Sequence, residues 1–180
     1  VRLTILLFPV LLFCQCSIEI TGFNNGYNKL SAQQLKNVLH EKGDISDVVN
    51  DKKIHVVNAA QIKASMLKDE KSLVYIWSPN CHGKFCDRLL SCQEYCDERG
   101  LELYVVSEYY DWPIMQEQNV LNRPIFTIDT DHYGKNFTPR YLKLFRDDLG
   151  PHHNFLEKNQ IGSFFFFEKD QLVDVKSKLL

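Results

Sequence analysis

The stretch "LVYIWSPNC", residues 73–81, decides how this chain is read. An unbroken apolar run ends at Trp77 and gives way to a turn and a cysteine. A short apolar run bounded by a turn is the mark of a strand buried on both faces, the type found in parallel sheets covered by helices. Working outward, "KIHVVN" (53–58), "LELYVV" (101–106) and "RPIFTID" (123–129) repeat the strand pattern. Between them lie helical patterns. "NAAQIKASMLKDE" (58–70) has Asn58 as a cap and Ile62, Met66 and Leu67 at helical spacing, and a long helix runs to Arg99 with Gly100 to stop it. Asp111 and Pro113 start a short helix, and Thr138-Pro139 opens another through Leu149. "GSFFFFEKDQLVDVK" (162–176) reads as two strands around a polar turn. The expectation is an α/β fold: a mixed, largely parallel sheet flanked by helices, closed by an antiparallel hairpin.

With 180 residues, 44% of them hydrophobic, the chain holds one domain with a sizeable core. A formal charge of −2, acids and bases interspersed, supplies no basic stripe for a nucleic acid backbone. Residues 1–16, "VRLTILLFPVLLFCQC", form an apolar run too short to span a bilayer and suited to a signal peptide. It resembles the signal of a bacterial lipoprotein. That resemblance implies lipidation at Cys16, which Ser17 follows, in preference to Cys14, which the bulky Phe13 precedes. Residues 17–30, rich in Asn and Gly, read as a tether, and 31–52 as an N-terminal helical extension. In that extension Ser31 and Gln34 have capping-box spacing, Leu35, Val38 and Leu39 share a face, and Gly43 stops the helix. Residues 53–180 are the main domain.

Four cysteines follow the decisive strand. Phe85, Leu89, Cys92 and Cys96 recur at helical spacing, so Cys92 and Cys96 read as core thiols. Cys81 and Cys86 bracket His82 and Lys84, whose positive charge favours a thiolate.

The order of elements from about Ile54 to Val175, together with Trp77-x-x-x-Cys81, resembles the thioredoxin-like superfamily in its envelope form. In that form a strand and helix are inserted before the terminal hairpin, here within 112–149. The resemblance implies a nucleophilic Cys81 at the start of the following helix and Cys86 as the resolving thiol. It also implies supporting roles for Trp77, Pro79, His82, Lys84 and Gly162. The chain departs from the family in four ways. Four residues separate the cysteines where the usual number is two, Gly162 stands where the family has a cis-proline, Tyr75 replaces a buried acid, and no closing helix is evident after Lys176.

The implied function is a thiol–disulfide oxidoreductase of the bacterial envelope, lipid-anchored and facing the periplasm. It would act on protein thiols and disulfides with an unidentified redox partner and require no organic cofactor. Two alternatives stand beside it. One is a redox-inactive binding module of the same fold, with Tyr109, Tyr110 and Trp112 beside a peptide groove or covering the sheet edge. The other is a copper carrier that combines the thiols with His132, His152 or His153. Asp129 and Asp131, without the acid that completes a calcium loop, read as a turn.

Overall fold

Seven strands build one sheet in the computed structural model, which describes residues 22–81, 87–118, 120–156 and 161–179. Cys14, Cys16, His82, Lys84 and Cys86 lie outside the described residues. In chain order the strands are β1 (Val38–His40), β2 (Ile54–Val57), β3 (Lys71–Trp77), β4 (Glu102–Ser107), β5 (Ile125–Ile128), β6 (Phe164–Glu168) and β7 (Gln171–Lys176). Across the sheet they run β1-β2-β5-β4-β3-β6-β7. The first five strands are parallel, and β6 pairs antiparallel with β3 to begin the terminal hairpin. The sheet is therefore mixed, as the alternation of patterns led us to expect.

The helices are α1 (Ala32–Leu35), α2 (Ala59–Met66), α3 (Leu89–Arg99), α4 (Trp112–Gln118) and α5 (Thr138–Leu149). They cover both faces of the sheet. Successive residues of a strand point to opposite faces, so Val74 and Ile76 of β3 meet Ile62 and Met66 of α2 and Tyr141 and Phe145 of α5. Leu73, Tyr75 and Trp77 meet Leu89, Cys92 and Cys96 of α3 and Met115 of α4. This is why "LVYIW" carries no polar alternation: each side chain enters one of two cores, at roughly 1.5–3 kcal/mol for a large apolar group.

Local signals set most boundaries. Asn58 caps α2 in a reciprocal box with Gln61, and Gln61 also donates to the carbonyls of Glu41 and Gly43, fastening the β1–β2 connection to the helix. Thr138-Pro139 opens α5, and Gly100, at φ 63°, closes α3.

Two N-terminal expectations are corrected. The Ser31–Gln34 capping box forms, but its helix ends at Leu35, and Val38 and Leu39 enter strand β1, aligned with Ile54 and His55. A short apolar run has no strong period of its own, and the open edge of β2 supplies hydrogen bonds that a helix extension would forgo. The described part of the tether, 22–30, is seated on the body of the protein. Asn25 accepts from the Tyr110 N–H through its backbone oxygen (2.8 Å) and donates through its side chain to Thr130 Oγ1 (2.8 Å). Gly26, at φ 73°, passes so close to the Tyr110 carbonyl that a Cβ would lie 2.5 Å from that oxygen. Asn and Gly here serve close packing and tight turns.

Candidate functional site

Strand β3 ends in the middle of the sheet, between β4 and the antiparallel β6. Open α/β sheets bind ligands beyond the carboxyl ends of their strands. Residues 78–81 occupy this position, and the segment after β4 holds them. The Asn80 N–H donates to the Tyr109 hydroxyl (3.3 Å) and its side-chain amide donates to Asp111 Oδ2 (2.8 Å). The Cys81 N–H donates to the Ser78 carbonyl at 3.1 Å, and the Glu108 N–H to that of Trp77 at 2.8 Å. Trp77 and Pro79 are buried and Cys81 is exposed.

Cys81 is disulfide-bonded. Cys92 and Cys96 are free, so neither is its partner. Both lie wholly inside the core beneath β3, as their helical stripe predicted. Burial pushes the Cys92 thiol well above its ordinary range and Cys96 up to about 12, so both stay protonated and unreactive at neutral pH.

The start of the helix differs from expectation. Helix α3 begins at Leu89, with Arg88 in an extended conformation as its N-cap, so Cys81 is not in its first turn.

Tyr75 of β3 stacks on Phe164 (4.3 Å between centroids) and donates to the Asp87 carbonyl at 3.2 Å. Burial, with Cys92, Asp87 and Glu108 adding to it, raises its pKa far above neutrality. It packs and braces; it does not accept protons.

The acid of this region is one that sequence reasoning missed. Glu108, just after β4, pairs with Arg146 of α5 at 3.2 Å, their side chains only 19% and 13% exposed. Burial raises the Glu108 pKa, opposed by Arg146 and by a hydrogen bond with Ser78, and burial lowers that of Arg146. Arg146 Nε has no hydrogen-bond partner, the only such buried side-chain atom among the described residues. The pair is a costly arrangement placed against the loop that carries Cys81. A lone acid ending an apolar strand was the available signal, but its partner lies 38 residues away.

Gly162 precedes β6, and no peptide bond among the described residues is cis. A Cβ at Gly162 would run into Val175 Cγ1 of β7, which is a packing reason for glycine. Tyr109, Tyr110 and Trp112 line a cleft of about 400 Å³ with Asp111, Gly26 and Leu30. The two tyrosines are also buried in the body of the protein, so wall and packing roles coincide. Of the histidines considered as ligands, His152 and His153 lie together with Asp147. His132 instead meets Tyr133 edge-on, and Asp129 accepts from the N–H groups of Asp131 and His132 in the expected turn. Among the described residues no helix is long and apolar enough to cross a membrane.

Compared with known proteins, the chain matches no family model, no curated protein and no solved structure.

Proposed function

We propose that this chain is a thioredoxin-like thiol–disulfide oxidoreductase, held at a bacterial envelope through a lipidated Cys16 and acting through Cys81 and Cys86. The observation that carries the reading is the exposed, disulfide-bonded Cys81 at the carboxyl end of the central strand, beside two free cysteines sealed in the core. The strand order supports the fold assignment. With β1 and β5 set aside, the order β2-β4-β3-β6-β7 is the one this reading calls for, with β5, which separates β2 from β4, as the inserted strand of the envelope form.

In the reduced protein the Cys81 thiolate attacks one sulfur of a substrate disulfide. That S–S bond breaks, a Cys81–substrate bond forms, and the other substrate sulfur leaves as a thiolate that takes up a proton. Cys86, deprotonated, then attacks the Cys81 sulfur and expels the second substrate thiolate. The substrate has gained two electrons and the protein has become the Cys81–Cys86 disulfide. A dithiol partner restores the thiols by the same exchange. Positive charge from His82 and Lys84 favours the attacking thiolate, and Trp77 and Pro79 anchor the loop.

The second reading is a binding module in which the Cys81 disulfide is structural and a peptide lies in the cleft along Tyr109–Trp112; the position of that cleft beside the loop favours it. Mass-spectrometric thiol mapping across a graded glutathione buffer separates the two. The oxidoreductase reading expects a reversible Cys81–Cys86 bond with Cys92 and Cys96 reduced throughout. A Cys81 bond to another cysteine, or one that resists reduction across the buffer range, sinks it.

A further inference from the structure

We propose that Asp147, His152 and His153 form a binding site for a divalent late transition metal such as Zn²⁺, at the junction between α5 and the segment leading to the terminal hairpin. A ligand atom from each residue lies within 4.8 Å of those of the other two. Nothing in this depends on the thiol chemistry.

His152 is the fixed member. It is buried, and its ring packs edge-on against Phe165 of β6 at 5.8 Å. Its Nδ1 lies 3.1 Å from the Gly150 carbonyl oxygen. A carbonyl only accepts, so Nδ1 carries the proton and Nε2 presents a lone pair. Metal centres set the tautomer of a ligating histidine in this way, through a second hydrogen bond to backbone or carboxylate.

His153 and Asp147 are the adjustable members. The two imidazole rings lie 4.0 Å apart, tilted by 41°. His153 Nε2 stands 3.6 Å from Asp147 Oδ1, beyond hydrogen-bond distance, with the side chains 74% and 34% exposed. Tetrahedral zinc with bonds of about 2.0–2.1 Å brings donor atoms to roughly 3.3 Å from one another. Closing from spacings of up to 4.8 Å takes side-chain movements of no more than about 1.5 Å, which the exposed His153 and Asp147 make freely. Lys143 holds the other carboxylate oxygen, Oδ2, at 2.5 Å, leaving Oδ1 toward the histidines. Arg146, the nearby guanidinium, is paired with Glu108. Two imidazoles and one carboxylate form a donor set that suits zinc, with a further position open to water. A bound ion would join α5 to β6 through His152 and stabilise the fold by mass action.

The test titrates the full chain, oxidised and in mild detergent, with Co²⁺ and Zn²⁺, alongside H153A and D147N. Both substitutions fall on solvent-facing side chains, and circular dichroism checks that each variant folds. The expected result is one equivalent bound with nitrogen and oxygen ligand-field bands, affinity weakened by at least about tenfold in either variant. Zinc should raise the Tm of the parent chain and leave the H153A/D147N double variant unmoved. No binding up to about 1 mM metal, undiminished affinity in the double variant, or thiolate-to-cobalt charge-transfer bands would each overturn the proposal.

Discussion

Cys81 and the Cys92–Cys96 pair are the same residue type within sixteen positions of one another, and the fold gives them opposite chemistry. Cys81 stands exposed on a loop pinned by Tyr109 and Asp111 and is covalently bonded. Cys92 and Cys96 sit on the inner face of α3, fully buried, their thiols held protonated by lack of water. A thiolate needs solvation or a positive neighbour, so reactivity follows position. The comparison teaches that the cysteine count is a poor guide to which thiols solvent can reach, and that position in the fold decides it.

The strongest way to break this contrast is C81S. Under the proposed mechanism it lowers turnover of a model disulfide substrate by at least about 100-fold, since a serine hydroxyl cannot exchange with a disulfide. C92A and C96A should leave that turnover within about twofold. Equal losses at all three positions would erase the distinction.

Next in size is the ion pair beneath the loop. E108A strands a buried guanidinium and should destabilise the protein by about 3 kcal/mol. For a domain of this size, that is a fall in Tm of roughly 6–12 °C. Adding R146M should recover most of it. An E108A loss that R146M leaves unchanged would mean the pair is not the source.

Burial of the core thiols gives a smaller effect. C92S and C96S each place a hydroxyl in an apolar site and should cost about 1–3 kcal/mol in urea unfolding. Neither thiol should react with iodoacetamide at pH 8 in the native state while doing so in urea. Rapid native labelling would show that the stripe is open to solvent.

The smallest effect concerns the opposite end of the sheet. His55 on β2 is held by Glu41 at 2.7 Å and Asp51 at 3.0 Å. Burial opposes the Asp51 charge, but hydrogen bonds from Lys53 and His55 outweigh it and hold its pKa down to about 2. A carboxyl depressed in the folded state adds stability above its unfolded pKa of about 3.9 and loses it as pH falls toward 2. Asp51 is partly exposed, so its share is under about 1 kcal/mol. D51N should flatten the acid limb of the stability curve between pH 4 and 2 and leave the slope above pH 5 unchanged; an unchanged acid limb would remove Asp51 from the account.

Much of the fold was legible because it rests on short-range signals. The stripe Leu89, Cys92 and Cys96, the Thr138-Pro139 start, the Asn58 cap and the apolar run 73–77 each act over a turn or a strand, and each formed as read. The helix expected over 31–43 failed because its second half had a better partner in β2, information carried by no local period. The Asn- and Gly-rich segment misled because composition reports how a backbone can bend and not what it bends around. At the candidate site, the place of Cys81 just beyond the end of β3 was legible from the apolar run before it. The start of α3 at Leu89 was not, since the register of a helix start depends on the core it must reach.

By itself the sequence determined the alternation of strands and helices, the buried character of the central strand and the core role of Cys92 and Cys96. All are consequences of periodicity, which side-chain direction imposes locally. Only the tertiary structure decided that β5 lies between β2 and β4, that Glu108 meets Arg146, and that Val175 leaves no room for a side chain at Gly162. Those contacts join residues distant in the chain, and their energy exists only once the sheet has brought its edges, faces and strand ends together.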